Sequence, residues 1–169
     1  MSLNTPSRPA VRIHLENITA MNIYLLKQLH LILFPVRYTD SFYDQVQHLG
    51  ELAKLVYVDN QAAGSICCRL EPEGPDHPGK YRIYIMTLGV LESYRRRRLG
   101  QLLVQHILKQ AELLPYVTRV YLHCQVQNTA ATTFYLRQGF EKVAYAKDYY
   151  KHIPDKDAYV LVKNVVRCS

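Results

Sequence analysis

Apolar and polar positions alternate over residues 11–15, the two-residue period of a half-buried strand. Over residues 21–33 the period lengthens, and Ile23, Leu26, Leu29 or His30, and Leu33 fall near one helical face, with Thr19 a candidate N-cap. Phe34-Pro35 stops that helix, because proline drives the residue before it out of the helical region. Residues 34–38 are predicted to be a rigid aromatic-apolar loop, after which Thr39 or Asp40 caps a second short helix ending at Leu49-Gly50. Residues 52–58 are β-rich, Asp59-Asn60 is a turn, and residues 62–70 pair back as a hairpin strand. Residues 71–80 carry three prolines and two glycines and read as a mobile surface loop. A long strand is expected over residues 81–90 and a helix over residues 100–113, with Leu103, Ile107 or His106, and Ala111 inward and Pro115 ending it. Residues 118–126 form a strand, Asn128 caps a helix running through Gln138, and Gly139 closes it in a left-handed turn. Final strands over residues 141–146 and 159–162 are joined by a tyrosine-rich loop, residues 147–153. The order β-α-α-β-β-β-α-β-α-β-β, without internal repeat or linker, predicts an α/β chain built on a mixed sheet.

Length and composition fit that picture. A chain of 169 residues is one domain with room for a real core, and 49% hydrophobic with 21% charged residues is ordinary for a globular protein. Residues 1–10 are expected to be a short disordered tail, polar and proline-containing without the apolar stretch of a secretory signal, and residues 11–169 the single domain. No apolar run is long enough to cross a bilayer, so no membrane is expected as a partner. Cys67, Cys68, Cys124 and Cys168 lack the paired spacing of a zinc site, and no metal is expected. Adjacent Cys67 and Cys68 on one strand face opposite sides of the sheet. Read as buried inert thiols, the four point to a reducing, intracellular compartment. The net charge of +7 suits an anionic ligand, an RNA-rich neighbour or plain solubility, and by itself does not choose among them.

Chemistry concentrates between Tyr84 and Leu103, where an apolar strand runs into four consecutive arginines, Arg95, Arg96, Arg97 and Arg98, then Gly100 and an apolar-periodic helix. A strand, a basic turn and a helix N-terminus together make an anion site: first-turn N–H groups lack intrahelical partners, the helix dipole adds positive charge, and guanidinium forks match phosphate oxygens. A solvated helix start, or a nuclear-import or RNA patch, are the other readings of such a run. Its position between strand and helix favours a phosphorylated ligand.

The element order with its basic turn resembles the GNAT acetyltransferase superfamily, whose signature in that turn is Gln/Arg-x-x-Gly-x-Gly/Ala. The resemblance covers about residues 11–164. It narrows to the N-alpha-acetyltransferase 50 (NatE catalytic subunit) family on Phe34-Pro35-Val36-Arg37-Tyr38, Gly50-Glu51-Leu52-Ala53-Lys54-Leu55, Tyr84-Ile85-Met86-Thr87-Leu88-Gly89, Tyr121-Leu122-His123 and Tyr149-Tyr150-Lys151. It implies the GNAT fold, a central twisted mixed sheet flanked by helices. One position departs from the pattern: the signature reads Arg95-x-x-Arg98-x-Gly100, with arginine where the family has its first glycine. A left-handed backbone there would cost ~1–2 kcal/mol, while the guanidinium is free to pair with a phosphate.

By this resemblance coenzyme A, carrying the acetyl group, lies along Leu88, Gly89 and Val90, with its diphosphate over Arg95, Arg96, Arg97, Arg98, Leu99, Gly100 and Gln101. Asn128 and Tyr135 complete the cofactor site. Tyr84 and His123 match the family's catalytic pair, although a strand tyrosine or histidine is more often a satisfied core residue. A histidine-tyrosine pair working through water is a reasonable base for a chain α-amine, whose pKa of ~7.7–8.0 leaves roughly a tenth of it neutral at pH 7; lysine, near ~10.4, is neutral in well under roughly a thousandth. A backbone N–H near Leu88 would steady the thioester oxygen as charge develops. Phe34, Pro35, Val36 and Tyr38 correspond to one wall of a peptide slot, Tyr149, Tyr150, Lys151, His152 and Ile153 to the other, and Arg69 and Met86 to further substrate positions. Such a slot suits methionine followed by a hydrophobic residue such as leucine.

The resemblance thus implies N-terminal acetylation of nascent polypeptides with acetyl-CoA, in the cytoplasm and the nucleus, alongside the catalytic and auxiliary subunits of the NatA complex and the ribosome, with no specific DNA. Two other readings stay open: a non-catalytic NatE subunit serving as a scaffold, which the altered glycine and the basic surface favour, and a lysine acetyltransferase, which the subfamily motifs fit less well.

Overall fold

The computed structural model describes residues 6–167. Met1–Thr5 of the expected tail, and Cys168, lie outside the described residues. Seven strands are present: β1 (Ile13–Asn17), β2 (Ala53–Val58), β3 (Gln61–Pro72), β4 (Tyr81–Val90), β5 (Val117–Gln125), β6 (Glu141–Ala146) and β7 (Ala158–Asn164). With them come α1 (Ile23–Leu33), α2 (Asp40–Val46), α3 (Leu99–Leu113) and α4 (Thr129–Arg137). The strands form one sheet in the order β1-β2-β3-β4-β5-β7-β6, in which β4 and β5 are parallel and every other neighbouring pair is antiparallel.

β4, β6 and α4 run where the sequence pattern places them. Asn128 Oδ1 accepts from the Ala131 N–H at 3.1 Å, and Gly139 turns the chain at a φ of 92° that only glycine adopts freely. Other boundaries move for identifiable reasons. Thr19 is not the cap of α1: its carbonyl accepts from Asn22 and Ile23 and its hydroxyl from Met21, a turn that delays the helix. Thr39 does cap α2, accepting from the Phe42 N–H at 3.2 Å, but that helix ends at Val46 and a short 3-10 turn over Gly50–Leu52 fills the gap to β2. β3 continues past Leu70, because Glu71 and Pro72 pair with Arg82 and Tyr81. The segment read as a mobile loop therefore begins as ordered strand, and the Glu73 N–H donates to the Lys80 carbonyl across its neck.

Each sheet face carries its own core. On one, Leu99, Leu103, Val104, Ile107 and Ala111 of α3 pack with Ile66, Cys68, Ile83, Val120 and Leu122. On the other, Leu26 and Leu29 of α1 and Tyr43 and Val46 of α2 pack with Leu55, Tyr57 and Cys67. Adjacent Cys67 and Cys68 thus enter opposite cores, as alternation requires, and burial raises both thiols well above their ordinary pKa. Fully burying an aliphatic side chain contributes ~1.5–3 kcal/mol, so the inward stripe of α3 alone holds the helix to the sheet.

Besides local register shifts, the sheet splits at its centre. β4 and β5 pair only as far as Tyr84 opposite Tyr121. Beyond it β4 stays with β3 out to Val90, while β5 stays with β7 out to Gln125. The two central strands diverge, and a wedge opens in the middle of the sheet with Tyr84 at its apex.

Candidate active site

Parallel pairing puts Tyr84 opposite Tyr121, and His123 follows two residues on, on the same face of β5. The Tyr84 hydroxyl lies 3.0 Å from His123 Nδ1 and 3.1 Å from the Tyr149 hydroxyl. The Tyr149 ring lies flat on the imidazole, centroids 3.9 Å apart and planes within 5°. The Tyr150 hydroxyl donates to the His123 carbonyl at 3.4 Å. Burial, reinforced by the Tyr149 hydrogen bond, pushes the Tyr84 phenol far above its ordinary value. Burial lowers the His123 imidazole, with Glu71 pulling weakly the other way. At neutral pH both groups are therefore uncharged, and His123 Nδ1 can accept a proton passed through the Tyr84 hydroxyl. The pair expected to work through water is in direct contact.

Two aromatic walls flank the pair. Phe34 and Tyr38 lean on buried His30, with centroids 5.2 and 5.1 Å from it, while Pro35 and Val36 are exposed between them. A side chain on Gly89 would come within 2.7 Å of Leu33 Cδ1 and 3.1 Å of Phe34 Cζ, so this wall rests directly on the β4 backbone. The facing wall is the segment after β6, where Tyr149 is exposed, Tyr150 and Ile153 are half-buried, and Lys151 and His152 are exposed. Burial, with Cys124, Tyr149 and Tyr38 adding to it, pushes the Tyr150 phenol up to about 12. Met86 packs from β4 against the α1–α2 core, and the Arg69 guanidinium sits 4.8 Å above the Tyr84 ring.

On the anion side, Leu88, Gly89 and Val90 line β4 past the divergence. Arg95 Nε donates to the Val90 carbonyl at 3.1 Å, and Arg97 covers the Tyr94 ring at 5.3 Å. Arg98 adopts the left-handed region at φ 60°, as its place in the turn demands, and Arg96 does the same at φ 66°. No side chain caps α3, so its first-turn N–H groups stay open beside the arginines. A side chain on Gly100 would meet only the Phe134 ring at 3.5 Å, an ordinary contact; the protein itself does not need glycine there, which suits an approaching ligand. Three expected contacts are constrained by the fold. The Leu99 side chain is buried in the α3 core, leaving its backbone to the surface, and Gln101 is exposed. Asn128 Oδ1 is committed to its cap, leaving the amide NH₂. Tyr135 is 7% exposed against Phe134 and Phe140, so its ring is core.

Sequence reading missed Glu71, Tyr121, Arg82 and Asp157. Glu71 accepts from the Tyr121 hydroxyl at 2.5 Å, from Arg69 at 2.6 Å and from Arg82 at 3.1 Å. Asp157 accepts from the Tyr145 hydroxyl and from the Asp148 N–H at 2.9 Å, clasping the segment that carries Tyr149. The signal was the two-residue spacing of Arg69 and Glu71, Arg82 and Tyr84, and Tyr121 and His123, which puts all six on one face once the strands are paired. A cavity of about 310 Å³ is lined by Val126, Gln127, Tyr145, Asp148 and the residues around Asp157 and includes neither Tyr84 nor His123. The hydrogen-bonded pair, not cavity size, marks the chemistry. Among the described residues, no group of three or more His, Cys, Asp or Glu is placed to hold a metal ion.

The chain as a whole is similar to known acetyltransferases. Residues 23–140 match the family model described as "Acetyltransferase (GNAT) family". N-alpha-acetyltransferase 50 of Danio rerio is 43% identical over 155 residues, spanning 91% of this chain and 89% of that protein. The probable N-acetyltransferase san of Drosophila melanogaster is 41% identical over 157 residues, 93% of this chain and 83% of that one. The solved structure of Arabidopsis thaliana Naa50 in complex with the bisubstrate analogue CoA-Ac-MVNAL superposes with a TM-score of 0.82 at 38% identity, covering 89% of this chain and 97% of that chain.

Proposed function

The chain belongs to the GNAT acetyltransferase family, and within it to the N-alpha-acetyltransferase 50 family; it is an acetyl-CoA-dependent N-alpha-acetyltransferase, and we propose that its acceptors are polypeptides beginning with methionine followed by a hydrophobic residue such as leucine. The observation that carries this reading is the 3.0 Å contact of Tyr84 with His123 between two aromatic walls. Pro35, Val36 and Phe34 offer an apolar surface for a methionine side chain, and the Tyr149 and Tyr150 hydroxyls offer partners for the peptide backbone.

In this reading the peptide amine gives its proton through the Tyr84 hydroxyl to His123 Nδ1 and attacks the thioester carbonyl. The backbone N–H near Leu88, freed by the divergence of β4 from β5, donates to the developing oxyanion. The tetrahedral centre collapses, the C–S bond breaks, and the second proton lost by the attacking nitrogen goes to the thiolate, which leaves as free coenzyme A. Arg95, Arg96, Arg97 and Arg98, with the open N–H groups of Leu99, Gly100 and Gln101, hold the diphosphate, and the Asn128 amide borders the cofactor from the start of α4, while Tyr135 supports that helix from the core. The preference for an α-amine over lysine rests on its lower pKa, which a neutral imidazole matches.

The NatA subunits and the ribosome, in the cytoplasm and nucleus, are the partners we propose; the net charge of +7 supports an RNA-rich neighbour. Left-handed Arg98, with a side chain where the turn meets the diphosphate, favours a second reading, a weakly active scaffold subunit. Calorimetric titration with acetyl-CoA, followed by acetylation of Met-Leu and Ser-starting peptides, separates the two. Binding together with faster acetylation of Met-Leu is the expected result. Equal rates would refute the specificity, and absent binding would leave the scaffold.

A further inference from the structure

Beside the Tyr84–His123 pair lies a charged cluster that the reaction does not use. Glu71 of β3 is its hub. Its side chain is only 16% exposed, yet it is fully engaged: Oε1 accepts from the Tyr121 hydroxyl at 2.5 Å and from Arg82 Nε at 3.1 Å, and Oε2 accepts from Arg69 Nε at 2.6 Å. Each partner then bears on the catalytic face. Arg69 stacks its guanidinium 4.8 Å from the Tyr84 ring. Tyr121, itself covered by Arg82 at 4.8 Å, packs its ring with its centroid 4.8 Å from that of Tyr84 and 6.2 Å from that of His123. Glu73 stands further from the pair: it binds Arg119 through both oxygens at 2.8 Å and Thr118 at 2.5 Å, and reaches the Glu71 cluster only through a longer 3.9 Å contact with Arg82 and through Arg119, which lies 5.9 Å from the Tyr121 ring.

We propose that Glu71 is a positioning residue for the base, its carboxylate fixing the Tyr84 ring against His123 through Arg69 and Tyr121. This rests on the reading of Tyr84 and His123 as the proton-accepting pair. Without the carboxylate, Arg69 and Arg82 repel across Tyr121; Arg69 loses the carboxylate it donates to, and Arg82 keeps only the longer 3.9 Å contact with Glu73. The same carboxylate acts on His123 at a distance. The groups facing that imidazole are Tyr84 from β4, Tyr121 from its own strand, Tyr149 and Tyr150 from the segment after β6, and Glu71 with Arg69 and Arg82 beyond. Of these only Glu71 is negative. Burial opposes its ionisation, but the hydrogen bonds from Tyr121, Arg69 and Arg82 hold it below the ordinary carboxylate range, so it is charged throughout the working pH range. Its charge favours protonated His123. Neutralising it lets the imidazole lose its proton at lower pH.

The test is steady-state kinetics of the full chain against a Met-Leu peptide across pH, with thermal melting, for Glu71→Gln, Glu71→Asp, Tyr121→Phe and Glu73→Gln, run beside Tyr84→Phe and His123→Ala. Glu71→Gln is expected to lower kcat about tenfold and to move the acid limb of the kcat/KM profile to lower pH. Glu71→Asp restores the position of that limb. Tyr121→Phe lowers kcat but leaves the limb in place, because the carboxylate remains. Glu73→Gln lowers the melting temperature without touching the profile. A Glu71→Gln enzyme with wild-type kcat and profile, or one that merely melts earlier, overturns the proposal. Should Glu71→Gln fail to fold, Tyr121→Phe decides, and unchanged kcat there overturns it equally. If Tyr84→Phe and His123→Ala are slow while Glu71→Gln is not, the positioning role alone fails; if those two turn over normally, the base assignment fails first.

Discussion

Tyr84 and His123 stand 39 residues apart in the chain and 3.0 Å apart in the fold. Neither is unusual alone. What distinguishes them is that burial keeps both uncharged while a hydrogen bond joins them, the condition for relaying a proton near neutral pH. Tyr84→Phe removes the hydroxyl and keeps the ring's contacts with Arg69 and Tyr121; His123→Ala removes the acceptor. Either change should slow turnover by ~10²-fold or more with the melting temperature little altered. Full activity from a folded variant in a peptide acetylation assay would take that residue out of the mechanism. Arg98 makes a different point at this scale. Its backbone is left-handed, the conformation that is costly for a non-glycine residue at this place in the signature, and Arg96 shares it, so two non-glycine residues carry backbone strain in one turn. Strain of this kind persists where surroundings or a ligand over-determine the conformation.

At the scale of elements, the period of the apolar positions read well wherever one element decides its own limits. β4 and β6 match their expected residues, and the caps at Thr39 and Asn128 formed as their side chains allow. It read poorly where a neighbour extends an element. Glu71 and Pro72 look like loop residues, and only their pairing with Arg82 and Tyr81 makes them strand. The same dependence sets the slot. The end of α1 lies so close to β4 that a methyl group on Gly89 would press on Leu33 and Phe34. Both contacts are ends of side chains that can yield, so Gly89→Ala should fold at a cost of ~1–3 kcal/mol and push Phe34 outward. The expected kinetic result is a several-fold rise in KM for Met-Leu peptides. A peptide KM equal to wild type would show that Phe34 does not line the slot.

For the whole molecule, the buried histidine and the paired glutamates act in one direction, against acid. His30 is 2% exposed between Tyr43 and Thr87, and burial lowers its pKa from 6.5 to about 4. Below pH 6.5 the unfolded chain takes up a proton that the native state refuses until about pH 4, so stability falls with falling pH across that window, by at most about 3 kcal/mol. Glu71 and Glu73 are buried enough to resist ionisation, yet their hydrogen bonds lower both below 4.5. Their contribution is present above that value and lost as pH falls through the native-state value. Denaturant titrations should therefore show a decline beginning near pH 6.5 and steepening below 4.5, with the upper part flattened in His30→Leu. Equal stability at pH 6.5 and pH 4 in the wild type would contradict the buried neutral imidazole.

The sequence by itself determined the order of the elements, most of their limits, the two-sided burial around Cys67 and Cys68, and the residue types from which an anion turn and an aromatic slot can be made. Those properties depend on neighbours two to four positions away, and periodicity records them directly. Only the tertiary structure decided that β4 and β5 part after Tyr84, that Tyr149 lies on His123, that Glu71 gathers Tyr121, Arg69 and Arg82, and that the rings of Leu99's neighbour Tyr135 and of His30 belong to the core. Each of these depends on the register between segments distant in the chain. Register is settled by the packing of both sheet faces at once, and no single segment carries it.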